Sequence, residues 1–408
     1  MTETQTTDDG DRPDGRPSGR PMGRQGPLNG VLVLDLTHAL SGPYATMLLA
    51  EMGARVIKVE QAPVGDIGRL YPPMVDGQPE FFNAVNHGKE SLVADLSDPA
   101  DRPLLEAIID RADVLVENFR PGTLDAWGWG WEDVRARNPR LVYASITGFG
   151  QTGPEAWEGA YDVVIQAESG LMSVTGFPDG PPVMAGTSIA DYLSGLNAFA
   201  AVNAALVQSR TTGTGSRVDI AMFDSLLGIL GAHVFDYLGN GTVPQRAGNS
   251  NPMATPFDIY EAADGPIAIC APSDAAFGTL GTVLGEDLAN DPRFPDVAAR
   301  LAHRDELREI IERTVATRTR AEVVDALQKA GVPAGMVRTV PEAIESAQAS
   351  DRHMVFEVEG TALRIPGHPF HLSSLDDSPV RPRAASLDEH GAGLRREFLT
   401  SGDESSGG

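Results

Sequence analysis

Five short apolar runs recur in the first 150 residues, and they constrain the fold more than any other feature of the chain. Each is bounded by turn residues, as is typical of strands buried on both faces of a parallel sheet. Helical or loop stretches separate the runs, and strands that alternate with helices predict an α/β fold. The runs are GVLVLDL (30–36), RVIKVE (55–60), SLVADL (91–96), DVLVEN (113–118) and RLVYASITGFG (140–150).

The turn after the first run reads THALSGPYA, and a helix with Pro43 in its first turn is expected to follow. The glycine fingerprint G-x-G-x-x-G of dinucleotide-binding folds is absent from this turn, so NAD binding has little support. The amide groups at the start of the helix are nevertheless suited to attract a phosphate or a carboxylate.

Later parts of the chain indicate a second domain. Residues 160–225 are apolar and largely helical in pattern, whereas residues 240–256 are rich in Gly, Pro and Asn, as is typical of a linker or loop. FDIYEAADGPIAICA (257–271) has Asp-Gly between two apolar runs and predicts a β-hairpin. A chain of 408 residues is expected to form two domains, or one large domain with an insertion.

Composition excludes several classes of protein. The net charge of −25 and the pI of about 4.6 argue against a nucleic-acid partner. No run of about 18 apolar residues predicts a membrane-spanning helix, and the first 26 residues lack the apolar core of an export signal. A single cysteine, Cys270, excludes an intrachain disulfide, and we expect a cytoplasmic protein.

Lysine is scarce, since it occurs only at Lys58, Lys89 and Lys329. An acidic excess with almost no lysine resembles the proteins of salt-accumulating halophiles. The alternative is a GC-rich genome that encodes arginine in place of lysine, although that bias alone does not explain the net charge.

Nine segments, in one order along the chain, resemble the class III CoA-transferases, the family that includes formyl-CoA transferase and carnitine CoA-transferase. They lie between about residues 28 and 375 and so cover nearly the whole chain apart from its ends. The segments are LDLTHALSGPYATMLLAEMGARVIKVE, NHGKESLVADL, VENFRPGTLDAWG, NPRLVYASITGFGQTGP, YDVVIQAESGLMSVTG, GTSIADYLSG, TGTGSRVDIAMFDS, DPRF and AGVPAGMV.

The resemblance implies a fold and a domain organisation. The expected α/β fold has a large Rossmann-like parallel-sheet domain formed from both ends of the chain, a smaller inserted α+β domain, and an interlocked homodimer. The expected ranges are a disordered tail (1–27), the first part of the large domain (28–225), a linker (226–247), the small domain (248–318), a linker helix with the return to the large domain (319–398) and a second disordered tail (399–408).

The segment GTSIADYLSG (186–195) matches the family pattern around the nucleophile, which implies that Asp191 attacks the substrate thioester. A carboxylate can form a mixed anhydride and release the CoA thiolate, which then recaptures the aspartyl carbonyl as an enzyme–CoA thioester. Spacing alone leaves another interpretation open, since Asp is also a favoured N-cap residue. We expect succinyl-CoA as the donor, and as the acceptor a C4–C5 dicarboxylate such as mesaconate or malate.

The resemblance also implies substrate contacts, with no permanently bound cofactor and no metal. Coenzyme A is expected to contact His38, Ala39, Ser41, Lys89, Asn118 and Phe119, with Lys89 at a phosphate. The acid substrates are expected to contact Leu40, Tyr161, Asp162, Arg246 and Gly248, and RAGNSNP (246–252) is the candidate lid. Formyl-CoA transferase has arginines where this chain has Gln61 and Ala126, so Arg120 and Arg69 are candidates to help hold the nucleotide.

Two other activities remain as alternatives. The related α-methylacyl-CoA racemases have a G-H-D stretch where this chain has GAYDVV, and Tyr161, with a pKa near 10, is a poor proton shuttle at neutral pH. A protein that binds CoA esters without catalysis is the second alternative. The histidines of HPFH (368–371) lack a third metal ligand, and WGWGW (127–131) is expected to have a packing and turn role.

Overall fold

The computed structural model describes residues 25–375 and 378–400. The predicted tails lie outside these ranges, apart from residues 25–27 and 399–400. The elements up to residue 160 are β1 (Leu32–Asp35), α1 (Ser41–Glu51), β2 (Arg55–Glu60), β3 (Met74–Val75), β4 (Gln78–Pro79), α2 (Glu80–Asn86), β5 (Glu90–Val93), α3 (Arg102–Arg111), β6 (Val114–Glu117), α4 (Thr123–Ala126), α5 (Trp131–Arg137) and β7 (Val142–Thr147).

The middle of the chain is mainly helical and then carries a second set of strands. Its first elements are α6 (Asp162–Glu168), α7 (Leu171–Val174), α8 (Ile189–Thr212), β8 (Arg217–Ala221), α9 (Met222–Ile229) and α10 (Gly231–Asn240). The later elements are β9 (Phe257–Ala262), β10 (Gly265–Cys270), α11 (Asp274–Leu284), α12 (Val297–Ala302), α13 (Arg304–Val315), α14 (Arg320–Lys329), β11 (Ala334–Met336), α15 (Val340–Ile344), α16 (Ala347–Asp351), β12 (Val355–Val358), β13 (Arg364–Pro366), β14 (Val380–Arg381) and α17 (Gly391–Thr400).

The predicted parallel sheet is confirmed. Six strands pair in parallel in the order β5-β2-β1-β6-β7-β8. Every residue of β7 is buried, as expected for a strand covered on both faces. When the six strands of this sheet are renumbered 1 to 6 in chain order, their spatial order is 3-2-1-4-5-6, which is that of doubly wound nucleotide-binding folds. The winding reverses between β1 and β6, and such folds bind ligands there, beside the carboxyl ends of the strands.

The chain divides into two compact units. Among the described residues, the first comprises 25–160, 190–225, 353–375 and 378–400, and the second comprises 161–189 and 226–352. In the first unit, Leu394 and Phe398 of α17 lie in the same apolar core as β1, β2, β5 and β6, so the end of the chain returns to the sheet. We expected residues 161–189 in the large domain, but they belong to the second unit, where the Gly248 N–H donates to the Gly176 carbonyl at 3.0 Å.

The second unit has its own sheet and core. Strands β9 and β10 form the predicted hairpin, and β11 pairs antiparallel with the other edge of β10. Apolar side chains of these strands pack against α11, α13 and α14. None of the helices within the described ranges is both long enough and apolar enough to cross a membrane.

Candidate active site

Asp191 lies in the first turn of α8, on a face of that helix that packs against α1. The helix begins at Ile189, so Asp191 lies inside the first turn and not at the N-cap position. Gly195 follows it by one helical turn on the same face. A Cβ atom on Gly195 would lie 2.6 Å from the Ser41 carbonyl oxygen and 3.0 Å from the Tyr44 ring. The backbone of α8 therefore touches the first turn of α1 one turn after Asp191.

Alanine at Gly195 is expected to destabilise the protein. Its Cβ would overlap the Ser41 carbonyl, and overpacking of this kind costs about 1–3 kcal/mol. The gain of up to about 1 kcal/mol that alanine brings to a helix offsets part of that cost, whereas Gly239→Ala has the gain without the cost. The free energy of unfolding in urea measures the difference. Gly239→Ala in α10, where a Cβ meets no atom within 4 Å, is the matched control, and equal stability of the two variants would contradict the close contact.

The first turn of α1 places backbone amide groups beside this part of α8. Leu40, which precedes the helix, provides no side-chain cap, and both Leu40 and Ser41 are buried. The N–H groups of Ser41 and Gly42 have no acceptor within the helix, and such groups stabilise negative charge.

The Tyr44 and Tyr192 rings contact edge to face at 5.0 Å between centroids. Burial raises the pKa of both phenols, which therefore remain protonated at neutral pH.

Side chains from elsewhere in the chain hold the turn between β1 and α1, among them those of Asn118 and Asp66. The Asn118 amide accepts from the His38 N–H at 3.0 Å and donates to the His38 carbonyl at 2.9 Å. Asp66 Oδ1 accepts from the Ala39 N–H at 3.0 Å. Ala39 has a φ of 64°, in the left-handed region that residues other than glycine rarely adopt. The structure thus brings His38, Ala39 and Asn118 together at one turn.

A cavity of about 210 Å³ opens at the carboxyl ends of β1, β2, β5 and β6. Three rings line it: those of His38 and Phe119 are 5.5 Å apart, and that of Trp127 is 5.6 Å from Phe119. The expectation for WGWGW (127–131) is a packing and turn role, and Trp129 does pack in the core, but Trp127 is 36% exposed and lines this cavity. Partial burial lowers the pKa of His38, so the ring is neutral at pH 7.

Polar side chains complete the lining. Gln61 Nε2 donates to Asp95 Oδ2 at 2.9 Å, and Ser97 lies beside them. Carboxylate and amide oxygens accept hydrogen bonds from hydroxyl and amino groups, and carboxylates repel phosphates. This part of the cavity therefore suits the nucleoside of a nucleotide better than its phosphates.

The structure places Lys89 in a buried cluster, in place of the predicted phosphate contact. Its ammonium lies within 3.0 Å of oxygens of Asp35, Pro43, Thr46 and Asn86, which use its three N–H donors. The Lys89 side chain is 2% exposed, and burial lowers its pKa to about 8. Lys89 has these partners because an unpaired buried charge is strongly unfavourable.

The two arginines considered for the nucleotide lie outside the lining of this cavity. Arg69 pairs with Glu60 at 2.6 Å and donates to the Ala385 carbonyl. Arg120 instead lines a smaller pocket with Glu117, at the carboxyl ends of β6 and β7. Burial raises the pKa of Glu117 to about 7.

The other residues predicted for the acid substrates lie in the second unit. Tyr161 is 79% exposed, and Asp162 begins α6. Asp162 Oδ2 accepts from Gln166 Nε2 at 2.7 Å, and Gln166 Oε1 accepts from the Ala185 N–H at 2.8 Å. Asp162 thus holds Gln166 in position to accept a hydrogen bond from Ala185, in the loop that precedes α8.

Arg246 and Gly248, in the predicted lid, contact a neighbouring loop of the same unit. The Arg246 guanidinium donates to the carbonyls of Phe177 and Gly180 at 3.3 and 2.8 Å. Gly248 has a φ of 63°, and a Cβ there would lie 2.8 Å from the Phe177 ring. Within this unit, both residues hold the loop 177–180, and only glycine fits readily at position 248.

Comparison with known proteins gives a consistent result. A family model described as CoA-transferase family III matches residues 28–391. The chain is 43% identical to the acetyl-CoA:oxalate CoA-transferase of Acetobacter aceti, covering 92% of this chain and 96% of that protein. It is 39% identical to the succinyl-CoA:mesaconate CoA-transferase of Haloarcula hispanica, covering 91% and 96%.

A solved structure supports the same assignment. A CAIB/BAIF family protein from Brucella suis superposes with a TM-score of 0.81 at 38% identity, covering 92% of this chain and 100% of that one. The succinate–glutarate CoA-transferase of Agrobacterium fabrum is a further relative, 36% identical over 92% of this chain and 96% of its own. The chain therefore belongs to CoA-transferase family III, and it is a CoA-transferase.

Proposed function

We propose that this enzyme moves CoA from an acyl-CoA donor to a free dicarboxylic acid, with Asp191 as the temporary acyl carrier. The observation that carries the proposal is the contact between the Asp191 face of α8 and the first turn of α1. The turn that enters α1 also borders the 210 Å³ cavity. One CoA ester would then place its nucleoside among the three rings and its thioester near Asp191.

The chemistry requires four exchanges at acyl carbon. An Asp191 oxygen attacks the thioester carbonyl and the C–S bond breaks, which forms a mixed anhydride and releases the CoA thiolate. The thiolate attacks the aspartyl carbonyl, releasing the donor acid and leaving an aspartyl–CoA thioester. The acceptor carboxylate attacks that thioester, and the released thiolate then attacks the acceptor carbonyl of the new anhydride, which frees Asp191. In this proposal the N–H groups of Ser41 and Gly42, at the start of α1, stabilise the oxyanions.

The proposed acceptor is a dicarboxylate, and succinyl-CoA or acetyl-CoA is the donor. Relatives are named for oxalate, glutarate and mesaconate, all of which are dicarboxylic acids. The test is an assay of the purified protein, at low and at molar salt, with both donors and a panel of oxalate, mesaconate, malate and glutarate. Acceptance of monocarboxylates alone would contradict the proposal. Exchange of the α-proton in deuterated water without any acceptor would indicate a racemase instead.

Alanine at Trp127 is expected to weaken CoA binding. Stacking of a base on an aromatic ring contributes about 1–3 kcal/mol, so the Kd of CoA should rise by roughly five-fold to 150-fold. Isothermal calorimetry measures the Kd, and kcat at saturating donor is expected to change little. Trp157→Ala, at a tryptophan that is 68% exposed and outside the cavity lining, is the control. Equal effects of the two substitutions would contradict a nucleoside site beside Trp127.

A further inference from the structure

A buried ion pair, Lys58 with Asp66, lies against the turn between β1 and α1, and the chemical steps above do not use it. Lys58 Nζ and Asp66 Oδ2 are 2.9 Å apart, and the side chains are 2% and 1% exposed. Lysine is scarce in this chain, and Lys329, by contrast, is 75% exposed. A buried ion pair adds little stability compared with apolar residues of the same shape. Stability alone therefore does not explain why this pair is present.

The pair holds the turn at two points. Lys58 Nζ donates to the Thr37 carbonyl at 2.7 Å, and Asp66 Oδ1 accepts from the Ala39 N–H at 3.0 Å. Although burial raises the pKa of Asp66, the charge of Lys58 and a hydrogen bond from the Gly68 N–H hold it below its usual value. An alanine leaves the left-handed region unless its surroundings hold it there. The bond to Asp66 is a contact that keeps Ala39 in that conformation.

The position of the β1–α1 turn determines where α1 begins. A Cβ on Gly42 would overlap the Thr37 side chain, so Thr37 and the first turn of α1 are in direct contact. The Ser41 carbonyl lies against Gly195, one helical turn from Asp191. A shift of the turn therefore moves the amide groups of α1 relative to Asp191.

We propose that Asp66, anchored by Lys58, is a positioning residue whose bond to the Ala39 N–H sets the start of α1 relative to Asp191. This inference rests on the proposed role of Asp191. Because Asp66 acts on the reacting end of the substrate through the turn, its loss lowers kcat by a larger factor than it raises the Kd of CoA. A misplacement of about 1 Å reduces turnover on the order of 10²-fold. Asp66 also borders the nucleoside cavity, so CoA affinity is measured separately.

Two double variants separate the hydrogen-bond acceptor from the charge. K58M/D66A removes both the ion pair and the acceptor, whereas K58M/D66N removes the pair and keeps an oxygen for the Ala39 N–H. Both have the net charge of the parent protein. We expect kcat of K58M/D66A to fall about 10²-fold and K58M/D66N to recover at least roughly ten-fold of that loss. Equal kcat values, or a loss confined to the Kd of CoA, would overturn the proposal.

Ala39→Gly provides an independent suppressor, since glycine adopts a positive φ without strain. Added to K58M/D66A, it is expected to restore part of kcat, and the absence of any restoration contradicts the proposal. If circular dichroism shows K58M/D66A to be unfolded, K58M/D66L, which replaces both members of the pair with apolar residues of similar size and also lacks the acceptor, carries the same comparison with Ala39→Gly.

A buried variant at the other end of α1 controls for general destabilisation. Glu51→Gln is expected to lower thermal stability and to leave kcat unchanged at a temperature where it is folded. An equal loss of kcat in Glu51→Gln would show a merely structural effect and overturn the positioning role. Failure of the proposed function has a different signature, because Asp191→Asn would then retain turnover.

Discussion

Asparagine at Asp191 is expected to reduce kcat by on the order of 10³-fold or more and to abolish the covalent intermediate. An amide does not attack a thioester as a carboxylate does, so neither the anhydride nor the aspartyl–CoA thioester forms. Steady-state assay of CoA transfer gives the loss in kcat. Incubation with acyl-CoA, treatment with hydroxylamine and mass spectrometry of the peptides should locate an adduct at Asp191 in the parent protein and none in the variant.

Asp224→Asn is the matched control for this substitution. Asp224 also lies in the first turn of a helix, α9, and its side chain is exposed. Its replacement by asparagine is expected to leave turnover unchanged. An unchanged Kd of CoA in Asp191→Asn would show that the nucleoside cavity is intact. Full CoA-transferase turnover by Asp191→Asn would rule out the proposed mechanism.

Glutamine at Glu51 is expected to cause the largest loss of stability considered for this protein. Glu51 ends α1 and is 4% exposed. Its Oε1 lies 2.9 Å from His87 Nε2 and 2.7 Å from Arg381 Nε, and its Oε2 lies 2.7 Å from His368 Nε2. Removal of one partner from a buried ion pair typically costs about 3–5 kcal/mol. Urea unfolding at pH 7 measures this loss.

The difference between the parent protein and Glu51→Gln should depend on pH. Burial raises the pKa of Glu51, but hydrogen bonds from His368 and His87 and the charge of Arg381 outweigh it and hold the pKa well below its usual value. A carboxyl group with a depressed pKa contributes stability that is fully present above the unfolded value, about 4.3. That contribution is lost as the pH falls below this value towards the folded pKa. The difference in the free energy of unfolding between the parent protein and Glu51→Gln should therefore shrink as the solution becomes acidic.

Asp325→Asn is the surface control for Glu51→Gln. Asp325 pairs with Lys329 at 2.6 Å, and both side chains are more than half exposed. Exposed ion pairs contribute little to stability, so no measurable change is expected at pH 7. A loss in Glu51→Gln no larger than in Asp325→Asn, or one that persists unchanged at low pH, would contradict the assigned role of the buried cluster.

The strands of the parallel sheet were predictable because their signals are local. RVIKVE coincides with β2, Arg55–Glu60, and the Asp-Gly pair at 264–265 marks the turn between β9 and β10. An apolar run of strand length and a pair of turn residues each involve only a few neighbouring positions. Both can therefore be recognised in the sequence before the fold is known. The role of Asp191 was instead implied by the resemblance, and the structure places this carboxylate in the first turn of α8.

The partners of the buried charges were not predictable in this way. Scarcity marked Lys58 and Lys89 as unusual, yet the resemblance suggested a phosphate for Lys89, whereas the fold pairs it with Asp35, 54 residues away. Glu51 and Arg381 are separated by 330 residues, and Trp127 reaches its cavity only through the arrangement of the strand ends.

Apolar spacing along the chain was enough to predict the layers of the first unit and the helix that carries the candidate nucleophile. Ion pairs and cavities need atoms within a few ångströms of one another, and only the folded sheet brings such distant segments together.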